Sequence, residues 1–284
     1  MKFLLCELSE GEFLIAIDGH EVKAPDNPYK YLQVVRGQKV KITVNANPTS
    51  VGARTFEVEP LRSESALRYN RWVTDNMEKV LAASNGDIGY MHITAMSTPN
   101  IGQFDKFWRA FRYKKGLIID VRGNGGGWTE YFIIDKLERK MVAYNNLRNI
   151  VPFRYPGSTT TAHIVALTNE FNGSDGEAFL EDFKANKLGT IIGVPSWGGL
   201  VGILNRQRTI DGGAVEQSNN AFYGREGKWW VENHGVDPDI LVDNNPASAS
   251  AGKDLQLEKA LEVLAKQIKE QPFTFPPRPA IPIK

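Results

Sequence analysis

The chain has 284 residues, enough for about two ordinary domains. Its 34 Lys and Arg residues against 33 Asp and Glu leave a net charge of +1, which excludes a nucleic-acid binder driven by bulk charge. With 42% hydrophobic and 24% charged residues the chain can bury a core, and bulk disorder is excluded.

At the N-terminus, Met1-Lys2-Phe3-Leu4-Leu5-Cys6 begins like a signal peptide, but Glu7, Glu10 and Glu12 interrupt the apolar run at once. Leu5, not a small residue, precedes Cys6, which argues against a lipoprotein site. As the sole cysteine, Cys6 can close no internal disulfide, and no Cys/His cluster suits a structural zinc. No run reaches the roughly 18 apolar residues of a membrane span. The expectation is a cytoplasmic protein.

Alternation over Glu12–Ile17, ending at the turn Asp18-Gly19, predicts a strand. Asn27-Pro28 opens a predicted short helix reaching Val35, with Asn27 as its cap. Strands are predicted over Lys39–Val44 and Arg54–Val58, split by Asn45-Ala46-Asn47-Pro48. Together these elements make a small β-rich module over residues 1–62 whose first element is expected to be missing. A connecting helix follows over 63–85, in which Ala66, Tyr69, Val73, Met77 and Val80 form one apolar stripe and Asn85-Gly86 is the stop.

From Gly89 the rhythm becomes strand, helix, strand. Gly89–Thr94, Leu117–Val121, His163–Thr168 and Thr190–Val194 read as strands. The helices between them are the one bearing Phe104, Phe107, Trp108 and Phe111, then Thr129–Lys140 and Asp175–Lys187. Trp229–Glu232 reads as a late strand and Leu255–Ile268 as a final helix. The fold class is therefore α/β, a mainly parallel sheet flanked by helices over 86–270. The Pro-rich tail, residues 271–284, is expected to run extended.

Two loops between a strand and a helix could carry chemistry. In Asp120-Val121-Arg122-Gly123-Asn124-Gly125-Gly126-Gly127 the glycines free backbone N–H groups to approach a ligand. A dinucleotide turn would need a glycine where Trp128 stands, and no Gly-Lys-Ser/Thr follows. A plain turn and an oxyanion site both fit. In the second loop, Asn172-Gly173-Ser174-Asp175-Gly176-Glu177, Ser174 could be a nucleophile on a sharp bend, with the Asp175 N–H and the helix dipole facing a developing oxyanion. The same residues also fit a Ser-x-x-Glu capping box that needs no function.

Four segments in order, 116–127, 167–179, 188–202 and 231–240 (Val-Glu-Asn-His-Gly-Val-Asp-Pro-Asp-Ile), closely resemble the C-terminal part of tricorn proteases. Those are serine peptidases related to the carboxyl-terminal processing peptidases. The resemblance covers nearly the whole chain. It implies a processing-peptidase-like core preceded by part of a PDZ-like domain, and oligopeptides as substrates. Ser174 is then the implied nucleophile, and Asp175 an oxyanion donor through its backbone N–H. A second donor would come from Gly126 or Gly127, and Glu232 matches the acidic residue of the site's hydrogen-bond network. The lysine-type base of some processing peptidases would fall on Gly199, which leaves the Ser–His arrangement.

In tricorn proteases that histidine precedes the PDZ-like domain, so the resemblance implies that it is missing here. A serine without its base is a weak nucleophile. Of the four histidines, His20 reads as a loop residue, and His92 and His163 as structural strand residues. His234 would share a face with Glu232 if the segment were extended. The aromatics Phe222, Tyr223, Trp229 and Trp230 could line a subsite, although core packing is their ordinary role.

The leading reading is thus a tricorn-like serine peptidase core acting through a Ser174 acyl-enzyme. Its alternative is a non-catalytic peptide-binding relative that keeps the cleft; a nucleotide enzyme built on Gly123–Gly127 is a weaker third. No metal or cofactor is implied, nor any nucleic acid or membrane. The implied partners are oligopeptides, with a second copy or a separate segment supplying the histidine.

Overall fold

The computed structural model describes residues 8–33 and 37–280, and for 204–206 the backbone alone. The apolar N-terminal run with Cys6 lies outside the described residues. The chain divides into two compact units, Met1–Asn70 and Arg71–Lys284.

The first unit is an antiparallel sheet of β1 (Phe13–Ile17), β2 (His20–Glu21), β3 (Val40–Asn45) and β4 (Arg54–Val58), in the order β2-β1-β3-β4. Ile17, Val40 and Val44 form its buried side. Asp18 and Gly19, at φ +47° and +79°, make the reversal into β2. The helix expected from Asn27 to Val35 is only a 3₁₀ turn, Pro28–Tyr31, capped by Asn27 Oδ1 on the Tyr29 N–H at 3.0 Å. None of its residues is buried, so no packing rewards a longer helix. Val35 lies outside the described residues.

Helix α1 (Ser65–Ala83) crosses from the first unit into the second. Val73 and Val80 of its predicted stripe are buried, whereas Ala66 is exposed. Asn85 and Gly86, both at positive φ, end the helix, and the Gly86 N–H returns to the Leu81 carbonyl at 2.7 Å.

The second unit continues with β5 (Ile88–His92), α2 (Thr98–Phe111), β6 (Gly116–Asp120), α3 (Glu130–Leu137), β7 (Ala143–Asn145) and β8 (Phe153–Tyr155). Then come β9 (His163–Thr168), α4 (Asp175–Ala185), β10 (Thr190–Gly193), β11 (Gly202–Arg208) and β12 (Ala214–Asn220). It closes with β13 (Ile240–Leu241), α5 (Pro246–Ser250) and α6 (Leu255–Glu270). Five strands form one parallel sheet in the order β13-β10-β9-β6-β5. Because β5, β6, β9 and β10 step in one direction, right-handed crossovers bring α2, α3 and α4 to the same face. There Phe104, Trp108, Ile133, Phe179 and Phe183 pack on Met91, Leu117, Ile119, Ala166 and Ile191. Helix α6, through Leu257, Ala260 and Leu264, packs on β6, β9 and β10.

Three hairpin or edge elements lie beyond the predicted set: β7–β8, β11–β12 and the short β13. Conversely, Trp229–Glu232 is not a strand. Trp229 makes only an isolated bridge to Tyr223, and Val231 and Asn233 take φ values of +36° and +65° that turn the chain. That turn also separates His234 from Glu232, so the shared face expected of an extended segment does not exist.

Candidate active site

In a parallel sheet the loops leaving the carboxyl ends of neighbouring strands meet, and ligand sites form there. Strands β6 and β9 are neighbours, so the glycine loop after β6 and the Ser174 loop after β9 lie side by side. They are stitched together: the Gly123 N–H donates to Asn169 Oδ1 at 2.8 Å and the Gly173 N–H to the Asn124 carbonyl at 2.9 Å. The loop after β10 joins them through the Trp197 N–H on the Asn172 carbonyl, also at 2.9 Å.

Ser174 precedes α4 with φ +53° and ψ −128°, a conformation that costs a non-glycine residue strain and thrusts its side chain out of the bend. What over-determines this conformation is Glu177, which is fully buried. Glu177 Oε2 accepts the N–H of Ser174 (3.1 Å) and of Gly199 (2.9 Å). Oε1 accepts the Ser196 hydroxyl and the Gly198 N–H, both at 2.6 Å. The Glu177 N–H goes to the Ser174 carbonyl oxygen at 2.8 Å. The Ser-x-x-Glu spacing foretold a local cap, but this carboxylate also binds a loop some twenty residues away. No local signal in the sequence carried that second role.

Gly126 packs directly beneath the serine: a Cβ on it would lie 2.4 Å from Ser174 Cβ and 2.8 Å from Oγ. Its N–H is committed to Asn124 Oδ1 at 2.8 Å, and its carbonyl accepts the Met96 N–H at 2.8 Å. Gly127, at φ +150°, presses on Met96, whose carbonyl oxygen would be 1.6 Å from a Cβ there. The N–H groups of Gly127 and Asp175 make no hydrogen bond among the described residues.

The Asp175 carboxylate is buried and turned away from the serine: Oδ2 accepts the N–H groups of Thr129 (2.8 Å) and Glu130 (3.3 Å) at the start of α3. Next to it, burial first and then the Asp175 carboxylate push the Glu130 carboxyl up to about 8. Glu232 Oε2 accepts the N–H groups of Leu200 and Val201 at 2.9 and 2.8 Å.

Ser174, Asp175, Gly127 and Glu232 all line one open cleft of about 520 Å³, whose far wall is Gly202 and Ile203 of β11 with Glu216, Ser218 and Asn220 of β12. Phe222 also lines it, and beside it lies a smaller depression bounded by Phe222, Trp229 and Trp230. Tyr223 and Trp229 are 68% and 71% exposed, so core packing is not their role. His92 Nε2 bonds to the Arg122 carbonyl and His163 Nε2 to that of Gln271, each at 2.9 Å. His234 contacts the Gly235 carbonyl and lies 3.9 Å from Asp237. None of these three lines the cleft. His20 belongs to the first unit, where it is an exposed residue of β2 stacked on Tyr31 and not a loop residue. Among the described residues no His, Cys, Asp and Glu cluster could hold a metal, and no helix is long and apolar enough to cross a membrane.

A strained serine at a helix start, beside a glycine loop with unspent N–H groups, has the form of a serine-hydrolase centre, and the chain belongs to peptidase family S41, whose profile matches residues 87–242. Within that family it is similar to the tricorn proteases. It is 37% identical over 268 residues to tricorn protease homolog 1 of Streptomyces coelicolor, covering 94% of this chain and 25% of that protein. With the tricorn protease of Thermoplasma acidophilum it shares 36% identity over 270 residues, covering 95% and 25%. The crystal structure of the tricorn protease superimposes with a TM-score of 0.83 at 36% identity, over 91% of this chain and 25% of that one. The chain thus spans about a quarter of the length of these relatives.

Proposed function

We propose that this chain is the catalytic core of a serine peptidase that cleaves oligopeptides through a Ser174 acyl-enzyme. The observation that carries the reading is the pair of unspent N–H groups, on Gly127 and Asp175, flanking a serine held at φ +53°. Ser174 Oγ attacks the scissile carbonyl, and the oxyanion is received by those two N–H groups at the positive end of α4. Gly126 is not a donor in this scheme, since its N–H belongs to Asn124; it gives Ser174 room. A base takes the serine proton and returns it to the leaving amine, after which water releases the acyl group.

The base is a histidine from a further segment or a second copy. Glu232 receives it: one carboxylate oxygen is held by Leu200 and Val201, and the other has no partner among the described residues. The peptide lies between the glycine loop and the β11–β12 wall.

A fluorophosphonate probe followed by mass spectrometry tests this. Labelling at Ser174, abolished in Ser174→Ala, is the expected result. If folded protein stays unlabelled even after a histidine-bearing tricorn-type segment is added, the nucleophile reading fails. Peptide binding without turnover is then the function.

A further inference from the structure

The sheet has a second functional candidate at its opposite edge. Ser174 follows the carboxyl end of β9, whereas His163 at the amino end of β9 and Lys115 just before β6 border a separate cavity of about 420 Å³. A six-residue strand sets the two edges about 20 Å apart. The cavity walls are mainly apolar, with Phe153, Ile268, Phe273 and Phe275 prominent. The tail after α6 forms one side, held by the Phe275 ring 5.3 Å from that of Tyr144 and by the Gln271 carbonyl on His163.

Among the described residues its Lys, Arg, Asp and Glu lining is of one sign. Lys114, Lys115 and Arg154 border it, and no Asp or Glu does. Lys115 is paired with Asp87, and Lys114 Nζ is spent on the Gly86 carbonyl. Arg154 is different: it is 6% exposed and forms no ion pair among the described residues. Its guanidinium lies 4.5 Å from the Tyr113 ring centroid and gives one hydrogen bond to Thr161 Oγ1 (2.6 Å) and one to the Arg112 carbonyl (3.2 Å). Two of its five N–H donors are thus spent on protein acceptors, and three have none among the described residues. Arg112, the neighbouring cation, likewise has no carboxylate partner among the described residues, its Nε resting on the Gly157 carbonyl. Burial lowers the pKa of Arg154, as expected of a guanidinium with no counter-ion. A nearly buried cation with unspent donors calls for an anion, and the apolar walls require that anion to carry an apolar body.

We propose that this cavity binds a monocarboxylate borne on an apolar group of about one aromatic side chain, with the carboxylate on Arg154 and the apolar body against Phe153, Phe273 and Phe275. The chemistry fits both the C-terminus of a short peptide ending in an apolar residue and a free aryl-alkanoic acid. The site does not depend on the Ser174 chemistry.

Calorimetric titration of Ser174→Ala protein, in which the peptidase centre is disabled, with N-acetyl-phenylalanine, its amide and 4-phenylbutyrate tests the proposal. The carboxylate should bind at least tenfold more tightly than the amide. Binding of both acids means that the site reads any apolar acid; binding of only one identifies the peptide end or the free acid as its ligand. Arg154→Gln should abolish binding. In case that variant does not fold, Phe275→Ala should weaken binding severalfold while leaving fluorophosphonate labelling of the Ser174 protein unchanged. The proposal is overturned if neither acid binds at millimolar concentration, if acid and amide bind equally, or if Phe275→Ala leaves the affinity unchanged.

Discussion

Glu177 is the residue on which the geometry of the cleft most depends, and Glu177→Gln isolates its contribution at nearly constant shape. The native side chain is fully buried and accepts four hydrogen bonds, two on each oxygen. A glutamine can keep the pair on one oxygen, from Ser196 and Gly198. Its NH₂ group then faces the N–H groups of Ser174 and Gly199, donor against donor. Each buried donor left without an acceptor costs about 1–3 kcal/mol. Two of them, plus lost charge assistance on the surviving pair, place the penalty at about 3–6 kcal/mol. That is a large share of the 5–15 kcal/mol that holds a typical domain folded.

Urea unfolding followed by tryptophan fluorescence measures the penalty, with Glu181→Gln as control on the same helix. Glu181 is half-buried and its carboxyl is pushed up, mainly by burial, so its amide should cost nothing. Fluorophosphonate labelling at Ser174 should fall more steeply than stability, because the bend itself loosens. A Glu177→Gln protein within about 1 kcal/mol of the parent and labelled at the same rate would refute the assignment of Glu177 as the support of the bend.

Gly126→Ala should cut labelling at Ser174 by at least about tenfold, since the new Cβ would lie 2.4 Å from Ser174 Cβ at a backbone φ of +87°; an unchanged labelling rate would mean the loop yields freely. Glu130 binds a proton in the folded state up to about 8 but releases it near 4.5 when unfolded, so stability should decline as pH climbs through that interval. Thermal melts of Glu130→Gln should show a flatter profile over the same range, and parallel profiles would count against the Glu130–Asp175 pair. Asp120→Asn should cost about 3–5 kcal/mol in urea unfolding, because Arg122, itself nearly buried, would lose the fully buried one of its two carboxylate partners. A loss below 1 kcal/mol would show that Asp254 suffices for it.

What the sequence disclosed follows from where each element is buried. Leu117–Val121 and His163–Thr168 are apolar on both faces and bounded by polar loops, so their strands were legible nearly to the residue. The two loops joining them to helices were legible for the same reason, as Gly, Asn and Ser can follow a buried strand only in a turn. Strand β12, Ala-Val-Glu-Gln-Ser-Asn-Asn, is exposed over almost its whole length and shows no period, so only its pairing with β11 makes it a strand. Trp229–Glu232 has strand composition, yet its backbone turns so that Glu232 can reach the N–H groups of Leu200 and Val201. Local composition cannot register that long-range demand.

The carboxylates around the cleft are spent largely on backbone. Glu177 holds Ser174, Gly198 and Gly199; Asp175 holds the first N–H groups of α3; Glu232 holds Leu200 and Val201. Asp120, deeper in, takes the Arg122 N–H at 3.0 Å along with its guanidinium, and so fixes the exit of β6 into the glycine loop. These acids cannot serve as bases for Ser174 without releasing the loops that shape it. Glu232 lines the cleft, and its second oxygen has no partner among the described residues. In the proposed scheme the labour is divided: backbone N–H groups would stabilise charge, acids hold backbone, and proton transfer would belong to a histidine docked against Glu232. A peptidase arranged this way gains reactivity when that histidine arrives without remodelling its oxyanion site. Adding a histidine-bearing segment should therefore raise kcat while leaving the affinity for a peptide inhibitor nearly unchanged.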